Sequence, residues 1–205
     1  MARELRTPAF EQGGTIPRRH TCDGDNVSPA LRWSGVPGGT RSLVLLCNDR
    51  DAPGGTFRHW AVYDIPPDRR ELTEGHGPET LRDGVKQALN DFGKPGCGGP
   101  CPPEGHGAHH YHLRLMASSE PSLPLAPDAS REEVEAAAER HAFGETELSG
   151  SISAEPDRLA GLRPLATWTR RGLRPRARIR CRRPASQGTA LGNDRYRVGA
   201  DPRAA

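Results

Sequence analysis

Residues 109–118, HHYHLRLMAS, constrain the fold more than any other stretch. His109, Tyr111, Leu113, Leu115 and Ala117 share one parity; His110, His112, Arg114 and Met116 share the other. Successive side chains on a strand point to opposite faces, so the stretch predicts a strand with its first set toward a core. The same parity sorts a cluster of four histidines. His109 goes inward with Tyr111, while His110 and His112 go outward with Arg114. His106 lies in a glycine-rich loop and has no readable direction.

Two further stretches predict strands. Residues 41–49, RSLVLLCND, form a short apolar run suited to a buried strand. Residues 57–66, FRHWAVYDIP, are aromatic and β-branched and stop at proline. A weaker strand is expected over residues 147–152. One helix is expected, because Ser130 with Glu133 three residues later makes a capping box. Val134, Ala137, Ala138 and Ala142 give that helix a narrow apolar stripe. Residues 90–108 are nearly all Gly, Pro and small side chains, a long irregular loop of the kind that often carries function.

The chain carries 24 Gly and 20 Pro, and its formal net charge of +3 conceals an uneven distribution. Residues 151–205 hold 13 Arg, no Lys and 4 acids, a net of +9, which leaves −6 for residues 1–150. Beyond residue 153 the sequence has neither strand alternation nor a helical stripe, and prolines interrupt it. Too little apolar surface is present there to offset the ordering entropy, so residues 154–205 are expected to be disordered. An Arg-rich tail can bind nucleic acid. Its Arg, Pro, Ala and Gly bias is equally that of an accidental extension encoded by GC-rich DNA, and nucleic acid is not an expected partner.

The five cysteines, Cys22, Cys47, Cys97, Cys101 and Cys181, are odd in number and irregular in spacing, which is not a disulfide framework. Whether Cys22, Cys97 and Cys101 approach one another is open. No apolar run is long enough to span a membrane and no secretory leader is evident, so a soluble, cytoplasmic protein is expected.

Candidate chemistry lies in three places. Asp49 and Asp51 in DRDAP form a carboxylate pair at i and i+2, or simply a turn. His59 opens the second strand and shares parity with Phe57, Ala61, Tyr63 and Ile65. The glycine loop, GGPCPPEGHG, offers backbone N–H groups that suit an anion. Cys97, Cys101, His106 and His109 can be drawn as a zinc site, but their spacing fits no standard pattern. No G-x-S-x-G elbow and no H-E-x-x-H pair occurs.

Three motifs, TCDGDNVSP, DRDAP with HW downstream, and GGPCPPEGHGAHHY, resemble those of the phosphatidylethanolamine-binding protein family, most closely its bacterial, Raf kinase inhibitor-like branch. The resemblance runs from about residue 5 to 151. It implies an all-β-dominated fold, an antiparallel β-sandwich with a few peripheral helices, spanning residues 1–152, with residues 153–205 as an Arg/Pro-rich tail. It implies a pocket for phosphate or a phospholipid headgroup, built from Asp49, Asp51, Pro53, Phe57, His59, Gly99, Pro100, His109 and Tyr111. No cofactor, metal or catalytic residue is implied, so a binding module is expected and not an enzyme. A protein partner such as a kinase would follow from the resemblance, and the oligomeric state is open, with a dimer allowed. A metal-dependent hydrolase using Asp49, Asp51, His59 and His109 is the alternative. The chain departs from the family pattern at Arg50, where proline is usual, at His110, where arginine is usual, and at Cys97, where tyrosine is common. The exchange at His110 is expected to matter little because it faces outward.

Overall fold

The strand-forming stretches assemble into two sheets and three layers. The computed structural model describes residues 4–76, 84–126 and 129–153. The disorder expected of residues 154–205 lies outside the described residues. Three short strands, β1 (Glu4–Arg6), β3 (Leu31–Ser34) and β6 (Glu71–Leu72), pair antiparallel in the order β1-β3-β6. The larger sheet contains β2 (Gly14–Thr15), β4 (Ser42–Asp49), β5 (Phe57–Ile65), β7 (Lys86–Gln87), β8 (Ala108–Ser118) and β9 (Ala142–Ser153), in the order β2-β9-β8-β4-β5-β7. Every pairing is antiparallel except β2 with β9.

One core lies between the sheets, where Leu5, Leu31 and Trp33 meet Leu45, Leu113 and Leu115. A second core lies on the other face of the large sheet. There Val44, Leu46, Ala61 and Met116 pack against Val134, Ala137 and Ala138 of the helix α1 (Arg131–His141). Strand β4 is therefore buried at all eight positions, which explains its continuous apolar run. The expected capping box is present, with the Ser130 hydroxyl accepting from the Glu133 N–H and the Glu133 carboxylate accepting from the Ser130 N–H.

The alternation of β8 holds through Leu115, with His109, Tyr111, Leu113 and Leu115 buried and His110 exposed. Met116 departs from the expectation. It has outward parity, yet α1 covers it and buries it in the second core. The expected short strand at 147–152 extends over Ala142–Ser153, pairing with the whole of β8. Its polar residues conceal it in sequence, because Glu145 and Glu147 hold Arg114 and His112 across the pair.

Strand β5 corrects the parity assigned to His59. Cys47 pairs with Trp60, but Asn48 pairs with Arg58, so His59 is an extra residue in a β-bulge. The bulge brings His59 and the adjacent Trp60 to the same side of the sheet. Trp60 enters the inter-sheet core while the His59 ring lies 5.1 Å from that of Tyr111. A second irregularity between Leu43 and Leu45 restores Ile65 to the inter-sheet core, leaving Asp64 at φ 57°. Counting parity along the strand cannot register either extra residue.

The cysteines correct a second expectation. Cys22 and Cys101, 79 residues apart, form a disulfide with Cα atoms at 5.4 Å. Both stand in irregular segments, and their approach depends on the fold as a whole. Cys47 and Cys97 are unpaired thiols. Burial pushes Cys47 up to about 12 and raises Cys97 as well, so neither is a thiolate near neutral pH.

Candidate anion-binding site

The end of β4, the start of β8 and the bulge of β5 meet at one edge of the large sheet. Asp49 is paired across β4 with Phe57 on one side and Tyr111 on the other. Its carboxylate has two tasks. Oδ1 accepts from the Asp51 N–H at 2.9 Å, closing the turn at DRDAP, and Oδ2 accepts from His109 Nδ1 at 2.7 Å. The turn and the functional pair are thus the same group. Asp49 and His109 are both buried, at 3% and 1% exposure.

His59 Nδ1 donates to the Gly98 carbonyl at 2.7 Å, while the Gly98 N–H donates to the His59 carbonyl at 2.9 Å. A carbonyl only accepts, so Nδ1 carries the proton and Nε2 is left with a lone pair in the neutral ring. Burial pushes the His59 pKa below its ordinary value, outweighing the opposing effects of the Gly98 hydrogen bond and Asp49. The neutral ring is therefore favoured at His59, although Asp49 opposes it.

The Tyr111 hydroxyl is buried and makes no hydrogen bond of good geometry, although the Cys101 backbone and the Asp49 carboxylate stand near it. Burial and then Asp49 raise its pKa, so it is a neutral donor. An orphaned buried hydroxyl is costly, by about 1–3 kcal/mol, and in native proteins it calls for a water, an ion or a ligand.

The glycine loop is strapped against the segment around residues 20–26. Gly99 N–H donates to Asn26 Oδ1 at 2.8 Å, Cys22 N–H donates to the Pro100 carbonyl at 3.0 Å, and the Cys22–Cys101 disulfide fixes the next residue. A Cβ at Gly99 would stand 2.4 Å from the His20 carbonyl oxygen, and one at Gly98 2.5 Å from the Phe92 ring. Gly99 is required by its close approach to backbone, whereas at Gly98 the neighbour is the exposed Phe92 ring, which would have to move.

A rim of rings surrounds these buried groups. Phe57 lies 4.9 Å from His59 and 4.8 Å from Phe92, and His106 lies 6.1 Å from His109. Phe92 and His106 were not among the residues expected at the site. Phe92 is the one aromatic in the otherwise small-residue stretch 90–108, apart from the histidine, which is the signal that could have marked it.

Of the expected residues, Asp49, Phe57, His59, His109 and Tyr111 come together. Gly99 and Pro100 belong to the strapped loop, where they bond to Asn26 and Cys22, and Pro100 lines a cavity together with Tyr111. Asp51 is turned outward, where its Oδ2 accepts from both the N–H and Nδ1 of His110, at 2.8 and 2.7 Å. Those bonds hold its carboxyl below the usual range. Position 110 thus fixes the DRDAP turn, a larger role than its outward parity suggests. Pro53 is exposed in the following turn. The drawn zinc set is broken, because Cys101 is in a disulfide. Among the described residues no group of three or more His, Cys, Asp or Glu is arranged to hold a metal.

Helix α1 supports this edge from beneath. The buried Arg131 guanidinium donates to the Trp60 and Cys47 carbonyls and to Asn48 Oδ1. Each acceptor is one or two residues from His59 or Asp49, so the helix fixes both strands where the site begins.

A two-sheet fold with this strapped, histidine-lined edge defines a class, and comparison with known proteins gives the same class. The phosphatidylethanolamine-binding protein profile matches residues 6–153, and the chain belongs to that family. A UPF0098 protein of Aquifex aeolicus is 51% identical over 132 residues, covering 64% of this chain and 77% of that one. A UPF0098 protein of Methanothermobacter thermautotrophicus is 48% identical over 148 residues, covering 71% and 95%. The crystal structure of Escherichia coli YbcL, described as a member of the mammalian family, matches with a TM-score of 0.71 at 31% identity, covering 75% of this chain and 99% of that one.

Proposed function

We propose that this chain is a binding module for a small phosphate-bearing anion, a free phosphate compound or a phospholipid headgroup, and that it is not an enzyme. The observation that carries the reading is the convergence of three side chains on one edge. His109 and His59 each commit Nδ1 to a protein acceptor, which leaves each Nε2 uncommitted, and the Tyr111 hydroxyl is unpartnered beside them. Asp49 accepts from His109 Nδ1, so the His109 Nε2 donates to a ligand oxygen only when that ring is protonated, and otherwise accepts from a ligand that carries the proton. The neutral His59 accepts in the same way, which suits a monoprotonated phosphate oxygen. The set holds no serine, threonine or cysteine, and burial keeps its one hydroxyl, that of Tyr111, from ionising, which favours binding over catalysis. An action on a protein partner, such as a kinase, is the further step suggested by the family resemblance.

Phosphate titration with thermal melting tests the reading. At 100 times its Kd, a ligand should stabilise the domain by about 2.7 kcal/mol. His109→Ala should abolish the shift; an unchanged shift in that variant, or none in the parent with any phosphate compound, refutes the proposal.

No described helix is long and apolar enough to cross a membrane. For location, the expected cytoplasm predicts Cys22 and Cys101 as thiols in cells, whereas an oxidising compartment predicts the disulfide. A Mycobacterium tuberculosis relative, LppC, 36% identical over 148 residues, bears the name of a lipoprotein. Thiol trapping on intact cells separates the two locations.

A further inference from the structure

His106 stands apart from the other histidines of its cluster. His109, His110 and His112 each commit Nδ1 to a carboxylate, those of Asp49, Asp51 and Glu147. His20 and His59 commit theirs to carbonyls, and His141 lies 3.9 Å from Glu120. The His106 side chain has no hydrogen bond or ion pair among the described residues, and it is exposed. Its ring is nonetheless 6.1 Å from the ring of buried His109. An uncommitted imidazole therefore stands at the mouth of the site.

The backbone explains how it is presented. The His106 N–H donates to the Pro103 carbonyl at 3.2 Å, forming a turn. Gly105 and Gly107 on either side have φ of +79° and +83°, a region that side chains disfavour. A Cβ at either glycine would meet nothing within 4 Å. These glycines serve the chain path alone, and the loop tip carries His106 without packing to hold it. The ring is free to swing toward an anion seated on His109.

We propose that His106 is the specificity-determining residue of this site, closing over a bound phosphate so that a monoester or inorganic phosphate is preferred to a diester. The proposal rests on the anion-binding reading above. The chemistry follows from counting oxygens. His59, His109 and Tyr111 offer three inner polar atoms, and His106 adds a fourth from outside. A phosphate monoester presents three unsubstituted oxygens and up to two negative charges; a diester presents two such oxygens and one charge. Each unsubstituted oxygen accepts more than one hydrogen bond, so His106 shares an oxygen with an inner group; a monoester offers it three such oxygens and the larger charge, a diester two and the smaller. A hydrogen bond to a charged group supplies about a tenfold difference or more in affinity.

The test measures binding of phosphoethanolamine, a monoester, and glycerophosphoethanolamine, a diester, to the full chain by calorimetry. The parent should prefer the monoester. His106→Ala should weaken the monoester about tenfold, leave the diester within twofold, and leave the melting temperature unchanged. His106→Gln, which retains a donor, should recover part of the preference. An unchanged monoester-to-diester ratio in His106→Ala, or an equal loss of both, overturns the assignment while the anion site stands. If the parent binds neither compound, or His109→Ala binds both as the parent does, the anion-binding reading itself fails and the assignment with it.

Discussion

Two histidine–carboxylate pairs stand one residue apart on the same strand, with the same atoms at the same distance. His109 Nδ1 to Asp49 Oδ2 and His110 Nδ1 to Asp51 Oδ2 are both 2.7 Å. The side chains of the first pair are 2% and 4% exposed; those of the second are 55% and 44% exposed. Strand alternation alone puts one imidazole under the strapped loop and the other in water. The contact is identical, and the surroundings decide what it does. Inside, it fixes a tautomer beside an orphaned hydroxyl. Outside, it pins a turn.

The largest way to break the contrast is to remove what closes the inner side. In a chain-entropy account, a disulfide spanning 79 residues stabilises by about 4.5 kcal/mol. Urea unfolding of Cys22→Ser/Cys101→Ser against the parent should show a loss of that order. Hydrogen exchange should rise at residues 98–101 and around His59, because Gly98 holds the His59 ring. The outer pair should be untouched. Equal exchange gains on both faces of β8 would show that the strap does not act on the inner face selectively.

Next in size is the inner pair itself. Asp49→Ala leaves a buried His109 donor without its acceptor and should cost about 3 kcal/mol. Asp51→Ala removes an exposed partner and should cost less than about 1 kcal/mol. Chemical denaturation of both variants reads the ratio, and comparable losses would mean that burial is not what separates the pairs.

How much of this was legible in the sequence follows the same division. Parity placed His109 and Tyr111 inward, and the apolar run of β4 led directly to Asp49, because these depend only on counting along one strand. The capping box at Ser130 was equally local. His59 was assigned to the site by resemblance and by parity with Phe57, which lies beside it; that same parity wrongly carried on to Ala61 and Tyr63, because a bulge inserts a residue that no alternation can register. Met116 was misplaced because covering by α1 is a property of the third layer. The Cys22–Cys101 bridge, the approach of Phe92 and the attachment of Asp51 to His110 all join segments far apart in the chain. Local pattern carries no information about such pairs.

Acid separates the two sides by a third route. Burial depresses the pKa of folded His59 below 6.5, its ordinary value, so between that folded value and 6.5 the unfolded chain binds more protons than the folded one. Its share of stability is fully present above pH 6.5 and is lost as pH falls below it. Buried His76, depressed mainly by burial, acts in the same direction. On the outer side, Asp51 is depressed below 3.8, so its contribution is present above that value and is lost as pH falls through the folded one. Urea midpoints measured from pH 8 to 5 should therefore decline below pH 6.5. The decline should be shallower in His59→Gln and unchanged in Asp51→Asn, whatever the absolute stability of either variant. An equal decline in His59→Gln would remove His59 from the account.

The smallest effect concerns salt, and it bears on the outer pair alone. With the histidines protonated, a screening length of about 3 Å at 1 M ionic strength removes most of the attraction of the exposed pair, while the buried one is largely shielded from ions. Asp51→Asn keeps the size of the side chain and removes its charge. Its stability relative to the parent should differ by a few tenths of a kcal/mol at low salt and converge on the parent at 1 M. Asp49→Asn should show a difference that salt does not remove, because its partner is buried. The His110 N–H bond to Asp51 sets the floor of the first comparison, since a neutral amide oxygen still accepts it. A salt-independent difference at position 51 would assign the role of that pair to turn geometry instead of charge. The outward histidine would then matter through its backbone, and an uncharged residue at position 110 would serve the turn equally well.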